Sequence, residues 1–378
     1  MRFPLNDAAP EVSVVAPCFN EADGLEEFHR RAASACEQAC RGAYEIVLVD
    51  DGSSDRTWPV IRDLAARHPG VVGVRLMRNQ GHQAAASAGL AFARGERVLL
   101  IDADLQDPPE LLAAMMRTMD EEEADVVFGQ RIARDGESAF KRASAAAFYR
   151  VLSRLAAVPI PVDTGDFRLM RRRIVDAVGA MPEQQRFLRG MVSWVGGRQV
   201  AFRYERHARH RGASGYSLAK MARFATDAVT GFSAVPLRLA TWLGFGACLV
   251  ALGLFGLTLW LWANDRTVLG GSSIVTCVVF FGAVQLVVLG ILGEYVGRLF
   301  QEAKRRPLFL VDRVETGGRS HALPPGFAAL GPEARQRVWD ATRAAPARTA
   351  RPVAAADLGP PAPPGALEGL VAGAAAAE

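Results

Sequence analysis

Short apolar runs alternate with amphipathic stretches over the first third of the chain. The apolar runs begin at Glu11, Tyr44, Val71 and Arg97. Runs of this kind, without polar alternation, are typical of strands buried in a parallel sheet. Stretches with helical periodicity separate them, at residues 24–40, 55–67 and 82–93. This alternation predicts βαβ units and an α/β fold.

Three of the predicted strands end in polar, mostly acidic clusters. These are Pro17-Cys18-Phe19-Asn20-Glu21, Asp50-Asp51-Gly52-Ser53-Ser54-Asp55 and Asp102-Ala103-Asp104-Leu105-Gln106. Ligands of open α/β sheets bind beyond the carboxyl ends of the strands. Two carboxylates as close as Asp102 and Asp104 repel each other unless a cation holds them, and hard divalent cations prefer such oxygen ligands. Any one cluster is typical of an ordinary turn, whereas three in order favour a site.

Two long uncharged runs lie further along, at residues 239–263 and 272–293. Each exceeds the roughly 20 residues that cross a bilayer as a helix. A buried core helix is the alternative interpretation. The short polar link at 264–267 favours a transmembrane hairpin.

Basic residues flank this predicted hairpin on its outer sides. They are Lys220, Arg223 and Arg238 before it, and Arg298, Lys304, Arg305 and Arg306 after it. The connecting loop carries only Arg266, which Asp265 offsets. The positive-inside rule therefore predicts a multi-pass protein with its N-terminal domain and both termini in the cytoplasm. The first ten residues lack the apolar core of a signal peptide.

The chain divides into five predicted parts. They are a cytoplasmic domain (1–217), an amphipathic interfacial segment (218–236), the two spans (237–298), a juxtamembrane segment (299–314) and a tail (315–378). An ordinary surface helix is the alternative for the interfacial segment. The tail is rich in Ala, Pro and Gly with few aromatic residues, which predicts disorder.

Composition agrees with this division. Half of the 378 residues are hydrophobic, which is high for one soluble domain, and the excess lies in the two spans. The net charge is +4, and we expect no nucleic-acid partner. The five cysteines show no metal-ligand spacing, so reduced thiols are the simplest interpretation.

The three acidic clusters, together with Asp107-Pro108-Pro109-Glu110, resemble the family 2 glycosyltransferases over roughly residues 11–312. Within that family they resemble polyprenyl-phosphate glycosyltransferases, such as dolichol-phosphate mannose synthases and bacterial bactoprenol glucosyltransferases. The segments 293–298 and 304–309 also resemble the bactoprenol branch. The resemblance implies a GT-A-like (Rossmann-like), mostly parallel sheet domain, followed by a two-helix transmembrane hairpin in the bacterial cytoplasmic (inner) membrane.

The resemblance also implies roles for individual residues. Nucleotide-sugar binding falls to Pro17, Phe19, Asn20, Glu21, Asp50, Asp51 and Asp102. A Mg²⁺ or Mn²⁺ ion on the diphosphate would be held by Asp102, Asp104 and Gln106. The stretch 162–169 resembles the second acidic motif of the family. The implied catalytic residues are Asp104, Asp163 and Asp166, of which the last two would orient the sugar rather than act as a base.

A basic run at residues 203–211 leads into the loop 212–218. Spacing alone favours a solvated face, but beside a membrane hairpin an anionic lipid head is a credible target. The expected contacts to the acceptor phosphate are Arg131, Arg209 and Arg211. The family usually has Lys before the Tyr of this loop, whereas this chain has Gly215.

The implied reaction is inverting transfer of a sugar to undecaprenyl phosphate at the cytoplasmic face, which would supply a lipid-linked sugar for envelope glycan modification. UDP-glucose is the default donor. UDP-linked 4-amino-4-deoxyarabinose, GlcNAc and galactose stay open, as does GDP-mannose, and a homo-oligomer is possible. One alternative is a processive polysaccharide synthase, but residues 183–187 lack the Gln and Trp of its Gln-x-x-Arg-Trp motif. The other is a non-catalytic nucleotide-binding scaffold, against which the intact Asp51, Asp102 and Asp104 argue.

Overall fold

A computed structural model describes residues 10–40, 44–132, 164–205, 235–264, 271–323, 327, 338 and 339. Its strands are β1 (Val12–Cys18), β2 (Tyr44–Asp50), β3 (Val71–Leu76), β4 (Arg97–Leu100), β5 (Val126–Arg131), β6 (Thr164–Arg171), β7 (Gln199–Tyr204), β8 (Val311–Thr316) and β9 (Arg319–His321). Its α-helices are α1 (Leu25–Cys40), α2 (Thr57–Arg67), α3 (His82–Phe92), α4 (Leu112–Glu121), α5 (Arg172–Ala180), α6 (Leu188–Val195), α7 (Val235–Ala263) and α8 (Gly271–Ala303).

The strands form one nine-stranded sheet in the order β7-β5-β6-β4-β1-β2-β3-β8-β9. The predicted parallel arrangement holds for the four central strands, where Val12 of β1 lies opposite both Tyr44 of β2 and Arg97 of β4. β6 and β8 run antiparallel to the strands beside them, so the outer parts of the sheet are mixed. The carboxyl ends of β1, β2 and β4 meet at one edge, which brings the three acidic clusters together.

Helices cover both faces of the sheet because the central strands are apolar on both sides. Along β2, Ile46 and Leu48 face one core cluster, while Val47 and Val49 face the other. This is the two-residue alternation of a strand between two helical layers. α3 packs especially closely, since a Cβ at Gly89 would lie 2.3 Å from Val15 Cγ1. This close contact holds the second half of α3 against β1 and β2.

The chain returns to the sheet domain after α8. β8 pairs with β3, and β9 pairs with β8. Beyond them Phe327 and Trp339 are buried against Phe92, with ring centroids 5.0 and 5.2 Å from it. The prediction of disorder from residue 315 onward is therefore wrong for the described residues up to 339. The prediction rested on composition alone. Main-chain pairing at a sheet edge does not depend on side-chain type, and two isolated aromatic residues hardly change the composition of an Ala- and Pro-rich segment.

α7 and α8 are 29 and 33 residues long, enough to cross the roughly 30 Å apolar core of a bilayer. Their apolar side chains face outward, and none of the most apolar window of either helix is buried. The alternative of core helices is therefore wrong. α8 continues ten residues past the predicted end of its span at 293, because its charges pair along the helix, as in the Glu294–Arg298 bridge. The predicted interfacial segment lies outside the described residues, apart from Val235 and Pro236 at the start of α7.

Candidate active site

Asp102 lies two residues beyond the end of β4, at the centre of the acidic edge. Its Oδ1 is buried and has no hydrogen-bond donor among the described residues. Burial raises the pKa of this carboxyl, and the nearby Asp166, Asp104 and Asp107 raise it further, whereas the charge of His82 opposes them. An ionised Asp102 is therefore in need of a cation.

Asp104 and Gln106 lie on the turn that follows. Asp104 Oδ1 accepts the Gln106 backbone N–H at 3.1 Å, and Leu105 between them has a left-handed φ of 59°. Asp104 lies close enough to Asp102 for its charge to raise the pKa of that carboxyl. The described residues contain no preassembled group of three or more His, Cys, Asp or Glu side chains that could hold a metal ion. Asp102, Asp104 and Gln106 nevertheless have the chemistry that Mg²⁺ or Mn²⁺ requires. They offer two carboxylates and an amide oxygen, and one carboxylate oxygen, Asp102 Oδ1, is buried without a hydrogen-bond donor among the described residues.

Asp166 on β6 is the most heavily bound carboxylate of the site. Its Oδ2 lies 3.0 Å from both His82 Nε2 and Gln83 Nε2, and its Oδ1 accepts from Arg189 Nε at 2.8 Å. Burial alone would raise the pKa of Asp166, but the His82 hydrogen bond and the Arg189 charge hold it well below its usual range. Asp166 is thus ionised at neutral pH and can only accept hydrogen bonds, so Nε2 of His82 carries the proton.

His82 joins the two acidic motifs. Its Nε2 lies 3.0 Å from Asp166 and 3.5 Å from Asp102 Oδ1. Burial lowers the pKa of His82, but its bond to Asp166 and the Asp102 charge outweigh burial and raise it. The sequence pattern predicts His82 at the start of a helix and indicates no role for it. The available signal was a polar pair, His82 and Gln83, opening a helix whose other residues are nearly all apolar and buried.

Asn20, Asp50 and Asp51, predicted to contact the nucleotide, also shape the loops of the site. Asp51 accepts the backbone N–H groups of Gln80 at 2.7 Å and Gly81 at 3.0 Å, which fixes the entry to α3. Asp50 Oδ1 accepts the Ser53 N–H at 3.0 Å, while its Oδ2 is buried without a hydrogen-bond donor in the described structure.

The loops after β1 and β2 hold each other. Asn20 Oδ1 accepts the Ser54 N–H at 2.9 Å, and Ser53 Oγ accepts the Asn20 N–H at 3.0 Å. The Glu21 N–H donates to Thr57 Oγ1 at 2.9 Å. The Asp50–Asp55 loop also requires Gly52, because this residue has a φ of 67° and a Cβ on it would lie 2.5 Å from the Arg78 backbone.

Phe19 is 47 % exposed on this loop, whereas Pro17 before it is buried. The exposed Phe19 ring, beside the hydrogen-bond acceptors of the two loops, offers a stacking surface for a planar base. Cys18 lies between them, and burial raises the pKa of its thiol far above the usual range, helped by the charges of Asp50 and Glu21. A thiolate nucleophile is therefore excluded at this position.

Arg131 ends β5 beside β6. Its Nη2 lies 4.0 Å from Asp107 Oδ2, and a Cβ on Gly165 would lie 2.6 Å from the same Nη2. The Tyr204 hydroxyl donates to Asp107 Oδ1 at 2.5 Å. Arg131 therefore lies against Gly165 of β6 and near Asp107, which follows the Asp102–Gln106 turn. Asp163, Arg209 and Arg211, together with Gly215, lie outside the described residues.

Comparison with known proteins agrees with this geometry. Residues 13–179 match the family described as glycosyl transferase family 2, and residues 235–299 match the GtrB C-terminal hairpin. The chain belongs to the family 2 glycosyltransferases, and its GT-A-like sheet domain is followed by that hairpin. The resemblance inferred from the acidic motifs is confirmed.

Relatives extend over most of the chain. The uncharacterized glycosyltransferase YkcC of Bacillus subtilis is 39 % identical over 306 residues, covering 80 % of this chain and 94 % of the relative. The prophage bactoprenol glucosyl transferase homolog of Escherichia coli is 34 % identical over 311 residues, covering 81 % and 99 %. The similarity thus includes both the sheet domain and the hairpin.

Among solved structures, the mannosyltransferase PcManGT from Pyrobaculum calidifontis, in complex with GDP-Man and Mn²⁺, is similar with a TM-score of 0.39 and 19 % identity, over 77 % of this chain and 88 % of that one. S. aureus TarS 1–349 with UDP-GlcNAc is similar with a TM-score of 0.40 and 17 % identity, over 58 % and 65 %.

Proposed function

We propose that this chain is an inverting, metal-dependent glycosyltransferase that moves a sugar from a UDP-sugar, glucose by default, to undecaprenyl phosphate. One observation carries the proposal. The buried Asp102 Oδ1, without a hydrogen-bond donor among the described residues, lies beside Asp104 at the edge where the nucleotide loops meet. The membrane hairpin in the same chain, and relatives named bactoprenol glucosyl transferase, support a polyprenyl acceptor.

The leaving group is a nucleoside diphosphate, whose developing negative charge needs a counter-charge. Asp102, Asp104 and Gln106 would hold a Mg²⁺ or Mn²⁺ ion, which when bound supplies Lewis-acid stabilisation of that diphosphate. The loops around Phe19, Asp50 and Asp51 would place the base and ribose. Because the two carboxylates bind the ion by charge, the proposal predicts activity that depends on a divalent metal.

The nucleophile is the acceptor phosphate itself. A phosphate monoester, with a second pKa of about 6, is largely ionised at neutral pH, so attack on the anomeric carbon needs positioning more than a general base. Asp166 suits positioning, because three protein donors already occupy most of the roughly four acceptor sites of a carboxylate. It fixes His82 and Arg189 around the sugar, and Asp163 would assist it.

Binding of the acceptor phosphate is assigned to Arg131, Arg209 and Arg211. Arginine binds phosphate oxygens through charge-assisted hydrogen bonds that also set their direction. Arg131 is partly exposed, adjoins Gly165 and lies 4.0 Å from Asp107, so a phosphate at this arginine would lie close to the acidic turn that follows β4.

The sheet supports the proposed membrane topology. β8 follows both spans, yet it pairs with β3 of the N-terminal domain. The chain must therefore leave and return on the same side of the membrane, which two crossings satisfy and one does not. The basic flanks of α7 and α8 support a cytoplasmic location for that side. A homo-oligomer stays a prediction.

The test is to incubate membranes containing the full-length protein with undecaprenyl phosphate and a panel of nucleotide-sugars, and to read the lipid products by mass. We expect one added hexose from UDP-glucose, and no product from an Asp104→Asn control. A polymeric product would favour the processive synthase. Donor binding without either product or hydrolysis would favour the scaffold.

A further inference from the structure

The carboxyl-terminal part of α8 contacts a short loop of the sheet domain at residues 184–185. Glu302 Oε1 accepts the Gln184 backbone N–H at 2.9 Å. One turn earlier, Arg298 donates to the side-chain oxygen of Gln185 and is held by Glu294. The Arg298 side chain is only 13 % exposed. The second membrane helix therefore fixes the backbone and a side chain of residues 184–185.

That loop leads directly into α6, and the first turn of α6 is bound to the site. Arg189 donates from Nε to Asp166 Oδ1 at 2.8 Å and from Nη1 to the Thr164 carbonyl at 2.9 Å. The Leu188 backbone N–H donates to Gln83 Oε1 at 2.8 Å. Only residues 186 and 187 separate these contacts from residues 184–185.

Gln83 closes the connection. Its Oε1 accepts from Leu188, and its Nε2 donates to Asp166 Oδ2 at 3.0 Å. A glutamine amide can serve as acceptor and donor at once, so this one side chain ties the backbone of α6 to the carboxylate. Hydrogen bonds at both ends of the segment 184–188, joined by its backbone, thus connect the membrane helix to Asp166.

We infer that Glu302, Arg298 and Gln83 are positioning residues for Asp166, through which the membrane helix that meets the lipid acceptor aligns the sugar site. This inference rests on the proposed function. Donor and acceptor arrive from different phases, so their reacting atoms need a rigid common reference. A misplacement of about 1 Å can cost about a hundredfold in rate.

The main test is Glu302→Ala in the full-length protein, assayed in detergent with UDP-glucose and undecaprenyl phosphate. We expect kcat to fall about tenfold, which corresponds to about 1.4 kcal/mol, with the KM for UDP-glucose within about twofold of wild type. The nucleotide loops lie on other strands and keep their contacts. Glu302→Gln retains the acceptor oxygen and should restore most of kcat. Gln301→Ala, an exposed neighbour on the same helix, is the matched control.

A double-mutant cycle separates a relay from two independent defects. Gln83→Met keeps the side-chain length and removes both hydrogen bonds. If the contacts form one network, Glu302→Ala should slow Gln83→Met by less than it slows wild type, because among the described residues only Arg189 then still links α6 to Asp166. Effects on kcat that multiply would overturn the relay, as would a wild-type kcat in Glu302→Ala. Arg298→Met gives the same comparison if Glu302→Ala does not accumulate in membranes.

Amide hydrogen exchange provides a readout that needs no substrate. The amides of residues 188–195 should exchange faster than wild type in Glu302→Ala and at the wild-type rate in Gln301→Ala. Residues 44–50 of β2 should stay protected in both variants. If Glu302→Ala exchanges faster but the wild-type protein makes no lipid-linked sugar, the proposed function is refuted and the positioning role is retained. Unchanged exchange together with normal transfer would retain the function and refute the positioning.

Discussion

Replacing Asp102 with Asn should stabilise the metal-free protein while abolishing its activity. The Asp102 side chain is 29 % exposed, but its Oδ1 is buried without a hydrogen-bond donor among the described residues, and burial and neighbouring acids raise the pKa of the carboxyl. Asn keeps the shape and removes the charge. Leaving a buried group unsatisfied costs about 1–3 kcal/mol, and the opposing His82 charge favours the lower end. We expect a gain of about 1 kcal/mol, or about 2–4 °C in Tm for a domain of this size.

The pH dependence of stability follows from the direction in which the pKa of Asp102 is shifted. A raised pKa means that the folded state binds the Asp102 proton more tightly than the unfolded state. The stability this carboxyl contributes is therefore present at acid pH, below its unfolded pKa, and is lost as pH rises through the raised value. Metal-free wild type should lose this contribution as pH rises, and Asp102→Asn should not.

Bound metal should make wild type more stable than Asp102→Asn, the reverse of the order expected without metal. At a metal concentration about a hundred times Kd, wild type should gain about 2.7 kcal/mol, and Asp102→Asn should gain almost nothing. The assay is thermal unfolding in detergent with EDTA, Mg²⁺ or Mn²⁺, beside turnover, which should fall at least about a hundredfold. Asp63→Asn, an exposed acid on α2, is the control and should stay within about 0.5 kcal/mol.

Two results would refute this reasoning. A variant less stable than wild type in EDTA would mean that protein partners already satisfy the Asp102 charge. Equal stabilisation of both proteins by metal would place the ion away from Asp102.

Three further predictions test other parts of the structure. Arg131→Ala should raise the KM for undecaprenyl phosphate by one to two decades, because a charge-assisted contact of about 1.5–3 kcal/mol is lost. The KM for the donor should stay nearly unchanged, and an equal loss of donor affinity would assign Arg131 to the diphosphate. Trp339→Ala should destabilise the sheet domain by about 3–5 kcal/mol, measured by thermal unfolding, whereas a change below about 1 kcal/mol would contradict its burial against Phe92. A cysteine introduced at Thr267 should react with an impermeant reagent from outside intact cells, and labelling only after lysis would contradict the two-span topology.

The sequence by itself determined the elements and the location of the chemistry. Apolar runs predicted β1 to β4 within two residues, and helical periodicity predicted α1 to α3. These patterns are readable because a strand or a helix repeats over a few neighbouring residues. The same holds for the two spans, whose composition is set by the bilayer. Acidic residues at three strand ends needed only the rule that parallel strands end at one edge.

The tertiary structure decided which side chains meet. His82 and Asp166 are 84 residues apart in the chain, and Gln83 and Leu188 are 105 apart. No periodicity relates such positions, so the role of Asp166 as a bound, ionised acceptor was not readable from its motif. The return of β8 to the sheet was hidden for a similar reason. Its stability comes from main-chain hydrogen bonds to β3 and from aromatic rings packed on Phe92, and both depend on partners more than 200 residues away. Local pattern sets which element forms, whereas long-range packing sets what each charged side chain touches.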